Sequence, residues 1–75
     1  MASIDRLGNR LKVLRAERDL TQAELARHVG VTRKTINTVE NGVFVPSTVL
    51  ALALSRQLGV PVEEIFYLVD DGSSA

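Results

Sequence analysis

Thr21-Gln22-Ala23-Glu24-Leu25-Ala26-Arg27-His28-Val29-Gly30-Val31-Thr32-Arg33-Lys34-Thr35-Ile36-Asn37-Thr38-Val39-Glu40-Asn41-Gly42 is the stretch whose reading decides the fold. Thr21 stands three residues before Glu24, the spacing at which hydroxyl and carboxylate each satisfy an otherwise unpaired backbone N–H at a helix start. Gly30 falls where that helix would end, and glycine most cheaply adopts the left-handed conformation of a tight turn. Thr32 then caps a second helix. Leu25, Ala26 and Val29 before the turn, with Val31, Ile36 and Val39 after it, supply one buried side. Ala26 is small where two crossing helices would approach closely. Residues 21–41 therefore read as a helix-turn-helix, whose second helix is short enough for the major groove of DNA to accept.

Outward from the motif, Ile4, Leu7, Leu11 and Leu14 repeat at three and four, the stripe of an amphipathic helix reaching to about Arg18. Gly8-Asn9 interrupts that stripe, so a second reading starts the helix near Asn9 and leaves residues 1–8 as an arm. Asp19-Leu20 forms the turn into the motif, since aspartate tolerates a left-handed backbone better than most residues. Gly42 to Ser47 is the next connection, with Pro46 and a Ser47 cap opening a fourth helix. That helix runs to Leu58 and stops at Gly59, with Leu50, Leu54 and Leu58 as its core stripe and Leu52 off it. Pro61 starts a last short helix from Val62 to about Tyr67, with Glu63 and Glu64 in the first turn, where the dipole favours negative charge. Phe66-Tyr67-Leu68-Val69 is a compact apolar run, and the acidic, Ser/Gly-containing tail over residues 70–75 is expected to fray. The expectation is an all-α domain of five helices over residues 1–69, with room for one short terminal β-strand.

Composition narrows the function classes. A chain of 75 residues is one domain that hides only roughly 60% of its unfolded surface, so self-association would help it. There is no cysteine, hence no disulfide framework, thiolate chemistry or zinc finger. No basic region followed by an apolar stretch opens the chain and no long apolar run follows, so neither a signal peptide nor a membrane span is expected, and the cytoplasm is the expected compartment. The net charge of zero hides an asymmetry between halves. Residues 1–42 carry eight basic and five acidic side chains, a balance of +3, and residues 43–75 carry one basic and four acidic, a balance of −3. One end is thus suited to phosphates and the other to water or a partner. The single histidine, His28, has no acidic partner at metal-ligand spacing, and no Gly-rich phosphate loop or nucleophile motif appears. Neither an enzyme, a cofactor, a metal site nor a small-molecule ligand is expected.

Leu-Thr-Gln-Ala-Glu-Leu-Ala at 20–26, Val-Thr-Arg-Lys-Thr-Ile-Asn at 31–37, Glu-Asn-Gly at 40–42 and Pro-Ser at 46–47 closely resemble the Cro/phage-repressor (XRE) family. Leu-Ala-Leu at 52–54 and Val-Glu-Glu-Ile-Phe-Tyr-Leu at 62–68 look like its short single-domain branch, and the likeness covers about residues 9–69. The resemblance implies a lambda-repressor-like fold and a homodimer without a ligand-sensing domain; some members pair their chain ends in a small antiparallel sheet. It implies a phosphate bond and a bracing role for Gln22, and a phosphate contact for Asn41. Base-reading positions would be the first turns of the recognition helix, Thr32, Arg33, Lys34, Thr35, Asn37 and Thr38, with Arg33 suited to guanine O6 and N7. It also implies an ion pair between Arg15 and Glu40 that fixes how the reading helix is presented.

Two departures stand out. Relatives often have a basic or polar residue after the Asn-Gly, whereas Val43-Phe44-Val45 is apolar here, and Phe44 is expected on the core. Relatives also often carry a lysine where Ala53 stands, so the fourth helix is unusually apolar; Leu52, Phe66, Tyr67 and Leu68 are candidates for a dimer interface, with burial within one subunit as the rival reading. The functional expectation is a sequence-specific homodimeric repressor on a palindromic double-stranded DNA operator, read through residues 32–40. The alternative is the antitoxin of a toxin–antitoxin pair, a protein that also represses its own operon.

Overall fold

In the computed structural model, which describes residues 6–69, the chain runs β1 (Arg6–Asn9), α1 (Leu11–Glu17), α2 (Gln22–Val29), α3 (Arg33–Glu40), α4 (Thr48–Leu58), α5 (Val62–Ile65) and β2 (Phe66–Val69). The expected local signals set the helix ends. At α2 the Thr21 N–H donates to Glu24 Oε1 at 2.8 Å and the Glu24 N–H to Thr21 Oγ1 at 3.0 Å, a complete capping box. Gly30 closes α2 at φ 78°. Thr32 Oγ1 accepts from Thr35 N–H at 3.2 Å to open α3, and Ser47 Oγ from Leu50 N–H at 3.1 Å to open α4. Asp19, at φ 54°, is the one non-glycine residue among those described that takes the left-handed turn into the motif.

The two ends of the domain depart from a purely helical reading. The stripe does not continue as helix through Leu7: α1 begins at Leu11, and Arg6–Asn9 is a strand rather than a free arm; Ile4 lies outside the described residues. Asn9 makes this start, its Oδ1 accepting from Leu11 N–H at 3.0 Å while its Nδ2 donates to the Val39 carbonyl at 2.9 Å. The last helix stops at Ile65 rather than near Tyr67, because Phe66 is already extended at φ −122°, ψ 142°. Phe66–Val69 then pairs antiparallel with β1, in the register Arg6↔Val69, Leu7↔Leu68, Gly8↔Tyr67 and Asn9↔Phe66. The sheet thus has two strands, one from each end. Aromatic and branched residues favour this pleated pairing, and Gly8 permits it, since the Tyr67 ring lies where a side chain at residue 8 would stand. The acidic tail beyond Val69, expected to fray, lies outside the described residues.

The core gathers Leu11 and Leu14 of α1, Leu25 and Ala26 of α2, Ile36 and Val39 of α3, Leu50, Leu54 and Leu58 of α4, and Ile65. Val29 and Val31 are only partly buried against it. Phe66 joins the core at 8% exposure, whereas Phe44, expected there, is 47% exposed between the more exposed Val43 and Val45. The loop after α3 stands away from the core, and Phe44 lies along the rim of an open groove shared with Phe66 and Leu68.

Thr21→Ala removes one half of the capping box, and urea unfolding at neutral pH is expected to show a loss of about 1 kcal/mol. An unchanged midpoint would contradict this account of the helix start. The Thr21 backbone N–H, with its hydroxyl, holds the Glu24 carboxyl below the usual carboxylate range. A group lowered in the folded state contributes stability above its unfolded pKa, about 4.3 for glutamate, and loses it as pH falls through the lowered folded value. An NMR titration of Glu24 is expected to give a midpoint below that of an ordinary glutamate.

Candidate nucleic-acid interface

Helix α3 has two chemically opposite sides. Ile36 and Val39 are buried at 0% and 1% exposure, while Arg33, Lys34 and the capping Asn41 are exposed and Asn37 and Thr38 half-buried. Arg33, Asn37 and Asn41 are spaced four apart and so follow one ridge, with Lys34 and Thr38 on the next. Among the described residues neither Arg33 nor Lys34 forms an ion pair. Thr32 and Thr35 are occupied locally: their hydroxyls meet at 3.0 Å and Thr32 caps the helix.

The end of α3 is held from behind. Arg15 of α1 donates from Nε to Glu40 Oε2 at 2.6 Å and from Nη2 to Glu40 Oε1 at 3.3 Å. The two side chains are 14% and 2% exposed, so the pair expected between these residues is formed and largely out of water. The remaining arm of Arg15, Nη1, donates to the Leu20 carbonyl at 2.7 Å, tying the turn before α2 to the same group. Gln22, first residue of α2, donates from Nε2 to Glu40 Oε1 at 3.0 Å and to Asn37 Oδ1 at 3.2 Å. Asn41 Nδ2 adds a contact of 3.4 Å to the same Asn37 oxygen. Arg15, Gln22, Asn37, Glu40 and Asn41 thus form one connected cluster at the back and edge of α3.

Two positions in this frame are not visible in local sequence pattern. Asn9 ties the start of α1 to the Val39 carbonyl near the end of α3. Arg18 donates from Nε to the Leu58 carbonyl at 2.9 Å and from Nη1 to the Leu14 carbonyl at 2.8 Å, so it closes the end of α4. Arg15 and Arg18 therefore serve the interior of the fold, and the outward positive charge rests on the other basic residues. Only the distant partners of Asn9 and Arg18, thirty and forty residues away, reveal these two roles, and such separations leave no local spacing.

The four candidate interface residues separate. Phe66 is in the core, because β1 and α5 fold it inward, whereas Leu52, Tyr67 and Leu68 are 57%, 47% and 66% exposed. Val43, Val45 and Val49, at 78%, 68% and 78%, extend the exposed apolar surface beyond what was expected. Phe44, Pro46, Phe66 and Leu68 line the open groove of about 600 Å³ beside them. His28 is exposed, its Nδ1 2.8 Å from Gln57 Nε2. Among the described residues no group of His, Cys, Asp or Glu is placed to hold a metal ion, and no helix is long and apolar enough to cross a membrane.

Glu40→Ala leaves Arg15 without its buried partner, and urea unfolding is expected to register a loss of roughly 3–5 kcal/mol. The double change Arg15→Met with Glu40→Leu is expected to recover part of that loss, because it leaves no unpaired charge, although the Leu20 carbonyl and the Gln22 amide lose their partners. A single-variant loss below about 1 kcal/mol, the range of exposed pairs, would show that the cluster is open to water.

A family described as a helix-turn-helix domain matches residues 6–66. The chain is 44% identical to an uncharacterized HTH-type transcriptional regulator of Methanocaldococcus jannaschii, over 84% of this chain and 96% of that one. Among solved structures it is similar to the restriction-modification controller protein C.AhdI of Aeromonas hydrophila. The TM-score there is 0.69, with 34% identity over 73% of this chain and 80% of that one. It is also 37% identical to the antitoxin PezA of Streptococcus pneumoniae, but over only 37% of that protein's length.

Proposed function

This chain belongs to the family of helix-turn-helix transcriptional regulators, and we propose that within it the protein is a sequence-specific, homodimeric repressor of the Cro/phage-repressor kind. The observation that carries this reading is the two-sided α3, anchored through Glu40, with Arg33, Lys34 and Asn37 turned away from the core. The anchored side fixes the angle of the helix. The free side offers donors in the geometry that base edges require.

Arg33 is the principal reader, its guanidinium matching the adjacent N7 and O6 acceptors of guanine. Lys34 and Thr38 lie on the neighbouring ridge, where they reach a base edge or a phosphate; Thr32 and Thr35 shape the helix start. Asn41 and the start of α2 at Gln22 flank α3 and position the protein on the backbone without specifying sequence. Leu52, Tyr67 and Leu68 form the contact with a second copy, which brings two α3 helices to successive major grooves about 34 Å apart on a palindromic operator. The site of action is the cytoplasm, on double-stranded DNA, with no cofactor. The antitoxin alternative rests on the similarity to PezA, which is confined to a stretch that a plain regulator would share.

Selection of bound duplexes from a random pool, at near-physiological salt to suppress purely electrostatic binding, tests the reading. The expected result is an inverted repeat, and Arg33→Ala is expected to abolish preference at one base of each half-site while the circular dichroism and thermal midpoint stay unchanged. No enriched sequence would remove the repressor reading and favour a protein partner. Leu68→Asp is expected to shift sedimentation from dimer to monomer; a persistent dimer would place the interface elsewhere.

A further inference from the structure

We infer that Glu40, acting through Gln22, fixes the orientation of the Asn37 amide so that this reading position offers hydrogen-bond donors only. The inference deepens the DNA-binding reading above and rests on it. A carboxylate accepts and never donates, and Glu40 is 2% exposed, with Oε2 receiving Arg15 Nε and Oε1 receiving Arg15 Nη2. The Gln22 amide lies against the same Oε1 at 3.0 Å. Its oxygen cannot face that carboxylate without setting two acceptors together, so its nitrogen must.

That nitrogen carries two hydrogens, and the second reaches Asn37 at 3.2 Å. A donor there requires Asn37 to present its oxygen, and Asn41 Nδ2 approaches the same oxygen at 3.4 Å. Both lone pairs of the Asn37 oxygen are then engaged within the protein. The NH2 of Asn37 is the part left over, and in a planar amide it points away from the oxygen. The orientation follows from the charge of Glu40 by donor–acceptor complementarity alone.

Two consequences follow for recognition. Asparagine reads adenine with a bidentate pair, donating to N7 and accepting from N6, and here the accepting half is spent. Guanine, with N7 and O6 side by side, and thymine, with O4, suit a donor-only group, whereas cytosine turns a donor toward it. Position 37 therefore favours guanine, with two adjacent acceptors, over adenine, with one acceptor beside a donor, and over cytosine, with a donor alone. Gln22, with both N–H groups used inside, is a positioning residue for Asn37, and a phosphate beside α2 is left to the unpaired backbone N–H groups of the helix start.

The test is random-duplex selection with the full chain as wild type, Asn37→Ala and Gln22→Met. Asn37→Ala, at a helix position where alanine is favoured, identifies the base that residue 37 faces by flattening preference there. At that base the wild type is expected to enrich guanine on the order of tenfold over adenine and cytosine. Gln22→Met takes one of the two donors from the Asn37 oxygen and one from Glu40, so the urea midpoint is expected to fall, while adenine rises severalfold at that base and the preferences at the other bases are kept. Adenine or cytosine in the wild type, or no base flattened by Asn37→Ala, overturns the inference; so does a Gln22→Met pool that is unchanged or weakened equally at every position. If Gln22→Met does not fold, the wild-type preference at the base found with Asn37→Ala decides by itself. A wild type that enriches nothing overturns the DNA-reading proposal as well. An operator whose Arg33 base responds while the Asn37 base does not leaves that proposal standing and removes only this inference.

Discussion

A carboxylate taken almost wholly out of water must be met on every side by donors, and Glu40 imposes that requirement on the whole domain. It stands at the last residue of α3, and its donors come from α1 through Arg15 and from α2 through Gln22. Arg15 carries the constraint further by binding the carbonyl of Leu20 in the turn before α2. Three helices and a turn are thereby set in one relative arrangement. Replacing such a pair by apolar groups of matching size often leaves stability unchanged or raises it, so its value lies in geometry more than in net free energy. The hydrophobic core would tolerate small rotations of α3 about Ile36 and Val39; a fork of hydrogen bonds to one carboxylate does not.

The second set of constraints closes the domain at its ends. Asn9 links the start of α1 to the carbonyl of Val39, one residue before Glu40, so the strand pair and the ionic cluster meet at the end of α3. Arg18 satisfies the Leu58 carbonyl at the end of α4. With these groups spent inside, the outward chemistry divides cleanly. The free side of α3 offers cations and amides, whereas β2, α4 and the loop after α3 offer Leu68, Leu52 and Val45. A chain this short buries a limited share of its surface, and the exposed apolar residues of β2, α4 and the loop after α3 are part of what it leaves uncovered.

The motif was legible because its determinants are local. Thr21 with Glu24, Gly30, Thr32 and Ser47 act on their own turns of chain, and each ended or began a helix where its chemistry demanded. The left-handed Asp19 was legible for the same reason. A short terminal strand was allowed for, and the resemblance implied that chain ends can pair, but which residues pair was not legible, since Arg6–Asn9 and Phe66–Val69 have little meaning until each finds the other across the length of the domain. A period of three and four from Leu7 to Leu14 imitated a helix, and only the Gly8-Asn9 break hinted otherwise. Phe66 turned inward with its strand, whereas Phe44, its backbone N–H tied to the Thr38 carbonyl at the end of α3, stands on the rim of a groove. The Arg15–Glu40 pair came from resemblance, not from spacing, and the contacts of Gln22 with Asn37 needed the folded geometry.

The most direct measurement is the mapping of backbone amide chemical-shift changes when a duplex enriched by the protein is added to the labelled chain. If α3 enters the major groove as presented by Glu40, the largest changes fall at Gln22, across Thr32–Thr38 and at Asn41, while Tyr67, Leu68 and Leu52 stay nearly silent once dimeric. Largest changes on β2 and α4, with α3 unaffected, would contradict the account and place the nucleic acid on the face assigned here to a second copy.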